Sequence, residues 1–188
     1  TTAIAGTLRA PLARIPAVTP VAVGPGAAFS PPLGAGVVAP GPLCVTLGTA
    51  EVVGALAAAP VFDRPAARAA TDPYRDLPSP MVETHAYPTG AFFIENPGWL
   101  SGGAVRWATR LLGLTSDAEL DALAAQGQPG AAGVTFLPAL AGAMTPQWRA
   151  EARGALHGLA ASHDRAHVAR AVLEGLAARV ACPMLTDA

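Results

Sequence analysis

Apolar positions near the C-terminal end of the chain recur at helical spacing. Val168, Val172 and Leu176 stand every fourth residue, with Leu173 and Val180 beside them, as the single buried stripe of an amphipathic helix requires. Ser162-His163-Asp164 offers N-cap candidates ahead of it, and Gly154 and Gly158 punctuate the loop before the cap. Elsewhere the apolar runs are short and predict strands. Residues 19–23 form one β-branched run, leading into the Gly-rich segment 24–36. Residues 43–47 and 51–56 form two more, and Gly48-Thr49 between them predicts a hairpin turn. Residues 91–94 predict a further strand, closed by Asn96-Pro97-Gly98, and residues 134–137 a last one, stopped by Pro138. Ser101 is positioned to cap a helix reaching Leu112, with Val105, Ala108, Leu111 and Leu112 on one face and Gly113 ending it. Ser116 and Glu119 make a capping box for a second helix running to about residue 126. The layout is mixed α/β. Three strands in succession between residues 43 and 94, ahead of the first helix, disfavour a strictly alternating doubly wound or barrel pattern.

Composition narrows the function. The 188 residues carry a net charge of −1, which gives no reason to expect nucleic acid or an anionic membrane surface as partner. All twelve basic residues are Arg, so a phosphate loop that depends on Lys is excluded. Mean hydropathy is +0.39, largely from Ala, yet no uninterrupted apolar run reaches membrane-spanning length. Cys44 and Cys182 are the only cysteines, well separated, and read as reduced thiols of a cytoplasmic protein. The Gly-rich segment lacks dinucleotide spacing, and Pro31-Pro32 obstructs the helix that should follow it. Residues 57–80, rich in Pro, Ala, Arg and Asp, read as a surface excursion.

One set of motifs is more specific than any of these. Gly154, Leu156, Gly158 and Leu159, seven further residues, His167-Val168 and then Ala171-Val172-Leu173-Glu174 resemble the second signature of the FGGY family of carbohydrate kinases. Leu47-Gly48-Thr49 resembles that family's "GTS" turn, with Ala50 in place of Ser. Ser101-Gly102-Gly103 and Trp107 resemble its "sGG…W" helix start. Phe136-Leu137-Pro138 followed by Gly142-Ala143-Met144-Thr145-Pro146 resembles its "FLP" loop. The motifs come in family order from about residue 20 to residue 180, with a pattern similar to xylulokinases.

The resemblance implies an α/β, actin-like (ribonuclease-H-like) ATPase fold, present in part. Residues 1–40 would be the tail of the first domain and residues 41–188 the opening portion of the second, nucleotide-binding one. It implies ATP and Mg2+ as cofactors, phosphoryl transfer to a small sugar or polyol such as a xylulose-like pentulose, and a cytoplasmic location. It implies neither nucleic acid nor membrane as partner, and it allows a homo-oligomer. Gly48 and Thr49 would meet the nucleotide phosphates at the turn. Gly102 and Gly103 would let the nucleotide approach a helix N-terminus.

Phosphoryl transfer also needs a carboxylate to take the acceptor's proton. On the family pattern that position falls on Ala27, and no Asp or Glu stands between Thr1 and Val45. Ala143 and Met144 replace the family's acidic–basic pair. The expectation is therefore a kinase lineage without catalytic competence in this chain alone; the alternative is a degenerate kinase-like module for nucleotide binding or oligomerisation. Other constellations are weaker. His157, His163 and His167 with Asp164 could share a cation, but the family pattern accounts for them without metal, and no metal site is expected. Ser162-His163-Asp164 are sequence neighbours and make a poor triad. Trp99, Trp107 and Trp148 are expected in the core or an interface.

Overall fold

The computed structural model describes residues 4–10, 14–22, 29–61, 83–144 and 149–186. Strands β1 (Ile4–Thr7) and β2 (Pro20–Ala22) pair antiparallel, β2 being the strand expected after residue 19. Helix α1 (Ser30–Gly34) corrects one expectation, because it carries Pro31 and Pro32 inside its first turn. Amides there have no partner within the helix, so proline gives up little by lacking one. A short helix therefore precedes the main sheet, where the sequence suggested strands alone.

That sheet contains β3 (Leu43–Leu47), β4 (Ala50–Ala57), β5 (Glu83–Ala86) and β6 (Phe92–Leu100), in the order β3-β4-β6-β5 and wholly antiparallel. The β3–β4 hairpin turns at Gly48-Thr49, as expected. Strand β6 does not close at Asn96-Pro97-Gly98. It runs on to Leu100, and its register against β4 shifts between Ala50 and Val52. A bulge at that point absorbs the backbone that proline and glycine would otherwise have turned. Strand β5 was not foreseen.

Side chains alternate along each strand, and directly opposed pairs share a face. Leu56 and Phe93, opposed on β4 and β6, are buried on one face with Tyr87 and Val37, and Phe29 and Leu33 of the α1 segment pack against them. The Tyr87 hydroxyl donates to the Val37 carbonyl at 3.0 Å, tying the sheet to the chain just past α1. Glu51 and Val53 lie on the opposite face, towards the last helix.

The second core is helical. It gathers α2 (Gly102–Leu111), α3 (Asp117–Ala124), the short hairpin of β7 (Thr135–Leu137) and β8 (Ala155–His157), and α4 (Arg165–Thr186). Ala104, Ala108, Leu120, Ala124, Val134, Phe136, Ala169, Val172 and Leu176 are buried together. Alanine at so many contact points lets the helices pack closely, and Trp107 stacks on Phe136 with ring centroids 5.8 Å apart. The α4 stripe is centred on Val172 and Leu176 as expected, with Ala169 and Ala171 equally buried. Asp164 caps the helix, its Oδ1 accepting from the amides of Ala166 and His167. Ser116 Oγ accepts from the Glu119 amide, as a capping box predicts, but the Glu119 carboxylate turns back to Thr115 instead. Leu111, placed on the buried face of α2 by spacing, is 59% exposed. The buried face of α2 consists of Ala104, Ala108 and Thr109. Residues 154–158 were read as loop, and β8 corrects this.

Candidate functional site: the turn–helix junction

Strand β4 enters from the Gly48-Thr49 turn, and the end of β6 leads directly into α2, so pairing of β4 with β6 carries the turn to the helix N-terminus. There the turn's carbonyls take the helix's leading amides. Gly102 donates to Gly48 at 3.0 Å, while Ser101 and Gly103 both donate to Thr49 at 3.0 Å. The first amides of a helix lack partners within it, and here a neighbouring turn supplies them. Ser101 occupies the N-cap position but makes no side-chain cap, which corrects the sequence reading. It is buried, and its carbonyl accepts from Ala104 and Val105.

All four residues singled out at these two motifs thus meet in one junction. The glycines have a local reason. A Cβ on Gly102 would stand 2.7 Å from the Gly48 carbonyl oxygen, and one on Gly103 would stand 2.5 Å from Leu100 Cδ2 and 3.1 Å from the Thr49 carbonyl oxygen. Only glycine allows the turn to come so near. With the Gly102 and Gly103 amides engaged, the outward-facing donors belong to side chains. Arg106, one turn into α2, donates from Nη2 to Thr49 Oγ1 at 3.1 Å. The Thr49 hydroxyl keeps its own hydrogen to donate, and Arg106 is an exposed fixed cation. Sequence reasoning missed Arg106; its spacing of four from Gly102 on a helix was the available signal. Ala27, the position matched to the family's carboxylate, lies outside the described residues, as do Trp148 and most of the 57–80 excursion.

A second feature lies where α4 crosses the sheet. Glu51, on β4 just beyond the turn, is 1% exposed, and Arg179 Nη1 stands 3.8 Å from its Oε1. The Arg179 guanidinium lies 5.1 Å from the centroid of the Trp99 ring, a cation–π contact. Burial raises the Glu51 pKa above the usual carboxylate value, countered in part by Arg179 and by the Trp99 backbone amide. An apolar cavity of about 420 Å³ opens beside this pair, lined by Trp99, Phe136, Pro138, Gly175 and Arg179 among others. Glu174 at its edge accepts from the Gly130 amide and pairs with Arg170 Nε at 2.6 Å; these contacts, Arg170 first, lower its pKa. The cavity offers mostly apolar contact, with Thr135, Glu174 and Arg179 as its polar side chains. The histidines near α4 serve the backbone. His163 Nδ1 accepts from the Ala160 amide, and His167 Nδ1 lies 2.7 Å from Asp164 Oδ1.

Comparison with known proteins adds what geometry alone does not. Residues 43–184 match the model of the FGGY family of carbohydrate kinases, C-terminal domain. A glycerol kinase of Geobacter sp. (strain M21) is 44% identical over 87 residues, 46% of this chain and 17% of that protein. A glycerol kinase of Leptothrix cholodnii is 35% identical over 109 residues, covering 56% and 22%. Among solved structures, xylulose kinase from Rhodospirillum rubrum superposes with a TM-score of 0.64 at 30% identity, over 92% of this chain and 33% of that one. Plasmodium falciparum glycerol kinase with ADP superposes with a TM-score of 0.65 over 91% of this chain and 33% of that one; at 19% identity the likeness is one of fold. The matched part is about a fifth of these sequence relatives and a third of these structures. The fold is accordingly the α/β, actin-like ATPase fold, in part. With its motifs, its topology and a match across residues 43–184 in agreement, the chain belongs to the FGGY family of carbohydrate kinases.

Proposed function

We propose that this chain is the nucleotide-facing portion of an ATP-dependent carbohydrate kinase and does not phosphorylate an acceptor by itself. Residues 1–40 are the tail of a first domain and residues 41–188 the opening of a second. The observation that carries the reading is the turn–helix junction. It presents a hydroxyl and a guanidinium, Thr49 and Arg106, side by side at a turn that Gly102 and Gly103 allow to pack tightly against the helix start. Both groups suit phosphate oxygens. Gly102 and Gly103 act here by yielding space, since their amides are engaged. No carboxylate belongs to the junction, so Mg2+ would arrive with the nucleotide's phosphates. The acceptor is a small polyol or pentulose: the sequence relatives named are glycerol kinases, and the solved structures at 30% identity are xylulose kinases. Ala27 in the position of the family's carboxylate supports loss of the proton-accepting step.

Calorimetric titration of the chain with MgATP tests the first half. Saturable binding is expected, weakened roughly tenfold or more by Thr49→Ala or by Arg106→Ala, the effect of losing one charge-assisted hydrogen bond. Absence of binding by the folded chain, or wild-type affinity in both variants, would overturn it; of the alternative, a degenerate module for nucleotide binding or oligomerisation, the absence of binding would leave only the oligomerisation form. A coupled ADP-release assay over glycerol, other polyols and pentuloses tests the second half; turnover above a protein-free control would refute it. Self-association is a further part of the proposal. It is supported by Leu43, Val45 and Leu47, exposed along β3, which among the described residues is an edge strand of the sheet, and sedimentation would test it.

A further inference from the structure

The other face of the sheet carries a cluster that the kinase reading does not use. In the register of β5 against β6, Glu83 stands directly opposite Glu95, and His85 lies two residues along from Glu83. Alternation therefore puts all three side chains on one face. His85 Nε2 is 3.4 Å from Glu83 Oε2 and 3.1 Å from Glu95 Oε1, and the three ligand atoms lie within 4.8 Å of one another. A tetrahedral zinc ion with bonds of about 2.0–2.2 Å has ligand-to-ligand edges of about 3.3–3.6 Å, close to the two distances from His85 to the carboxylates.

Two further observations point to a ligand here. Glu95 is 7% exposed, and its Oε2 is buried without a hydrogen-bond partner. His85 Nε2 is also buried and makes no hydrogen bond of acceptable geometry, although oxygens stand at ion-pairing distance. Like charges directly opposed across two strands repel, and a cation between them removes the penalty. The Phe29 ring lies 4.5 Å from the His85 ring, and the Phe93 ring fills the place of a side chain at Gly54 beside Glu95, so the cluster is apolar on its inner side and open to solvent at Glu83.

We propose that Glu83, His85 and Glu95 form a divalent-cation site of zinc type, with a water in the fourth position, that pins edge strand β5 to β6. One imidazole with two carboxylates favours zinc over magnesium or calcium, which prefer oxygen alone. The site rests on the sheet and is independent of nucleotide binding. Among the described residues this is the one group of three such side chains.

The test is titration of the chelator-treated full chain with Zn2+ alone, followed by calorimetry and thermal unfolding. One ion per chain and a raised melting temperature are expected. Binding should weaken at least tenfold in His85→Ala and in Glu83→Gln, and persist in a His163→Ala/His167→Ala variant. Glu83 is half exposed at its side chain, so Glu83→Gln keeps the fold and decides the matter even if His85→Ala does not fold. No stoichiometric zinc on the folded wild-type chain would overturn the proposal. So would unchanged affinity in Glu83→Gln, or Mg2+ binding as tightly as Zn2+.

Discussion

Two carboxylates are buried in the same sheet, on adjacent strands and opposite faces, and their surroundings differ in kind. Glu51 on β4 faces Arg179, a cation at every accessible pH, brought from the last helix and braced against Trp99. Glu95 on β6 faces His85 and the like-charged Glu83, both from the neighbouring strand. Burial raises the pKa of each. For Glu95 the neighbouring His85 counters this and Glu83 adds to it. Burial alone therefore does not say what a carboxylate is for. The first is a long-range tie between sheet and helix with a fixed counter-charge. The second is a local group whose counter-charge can be exchanged.

Removing the fixed counter-charge is the most severe way to break this contrast. Arg179→Ala leaves Glu51 buried and unbalanced, and should cost about 3–5 kcal/mol in urea unfolding at pH 8. The loss should shrink at pH 5, where protonation of Glu51 relieves it. Equal losses at both pH values would show that packing, not charge, is what Arg179 supplies. Next in size is Gly98→Ala. Its Cβ would fall 2.1 Å from Glu51 Cγ and 2.2 Å from the Glu51 carbonyl oxygen, so the bulge must shift, at about 1–3 kcal/mol by the same measurement.

The third prediction concerns pH. The folded pKa of Glu51 lies above its unfolded value of about 4.5, so the folded state holds the proton more tightly. Its contribution to stability is full below pH 4.5 and is lost as pH rises through the folded pKa. Glu51→Gln should abolish that part of the decline, making the urea midpoint flatter than wild type above pH 4.5; parallel curves would contradict the assignment. Smallest is Ser116→Ala, remote from both carboxylates. Loss of a cap whose hydrogen bond is already 3.3 Å long should cost about 0.5 kcal/mol, measured by thermal unfolding, and sets the background for the others.

The contrast also shows how far the chain was legible. The β3–β4 hairpin, α3 and the α4 stripe follow from local chemistry: a Gly turn between β-branched runs, a capping box, apolar spacing of four. Strand β5 does not. Glu83-Thr84-His85-Ala86 has little strand propensity, and pairing with β6 makes it a strand. Because it was missed, the shared face of Glu83 and His85 went unseen, though spacing of two is the signature of such a face. Pro97 was read as a stop because the bulge that accommodates it depends on β4. Glu51 gave a readable signal, a lone carboxylate beside Val52 and Val53, but its partner Arg179 is found only once α4 packs on the sheet. At the junction the motifs singled out Gly48, Thr49, Gly102 and Gly103 one pair at a time, while their meeting and the carbonyl-to-amide contacts among them were beyond what residue types can tell.

Those contacts have a consequence for how this protein tolerates change. The three hydrogen bonds joining turn to helix are made between main-chain atoms, so replacing a side chain at Thr49 or Ser101 deletes none of them. Drift at these positions can alter what a bound molecule touches without unfastening the helix. At 102 and 103, by contrast, any side chain would meet the turn or Leu100, so these two glycines, rather than the side chains of Thr49 and Ser101, are what the joint depends on.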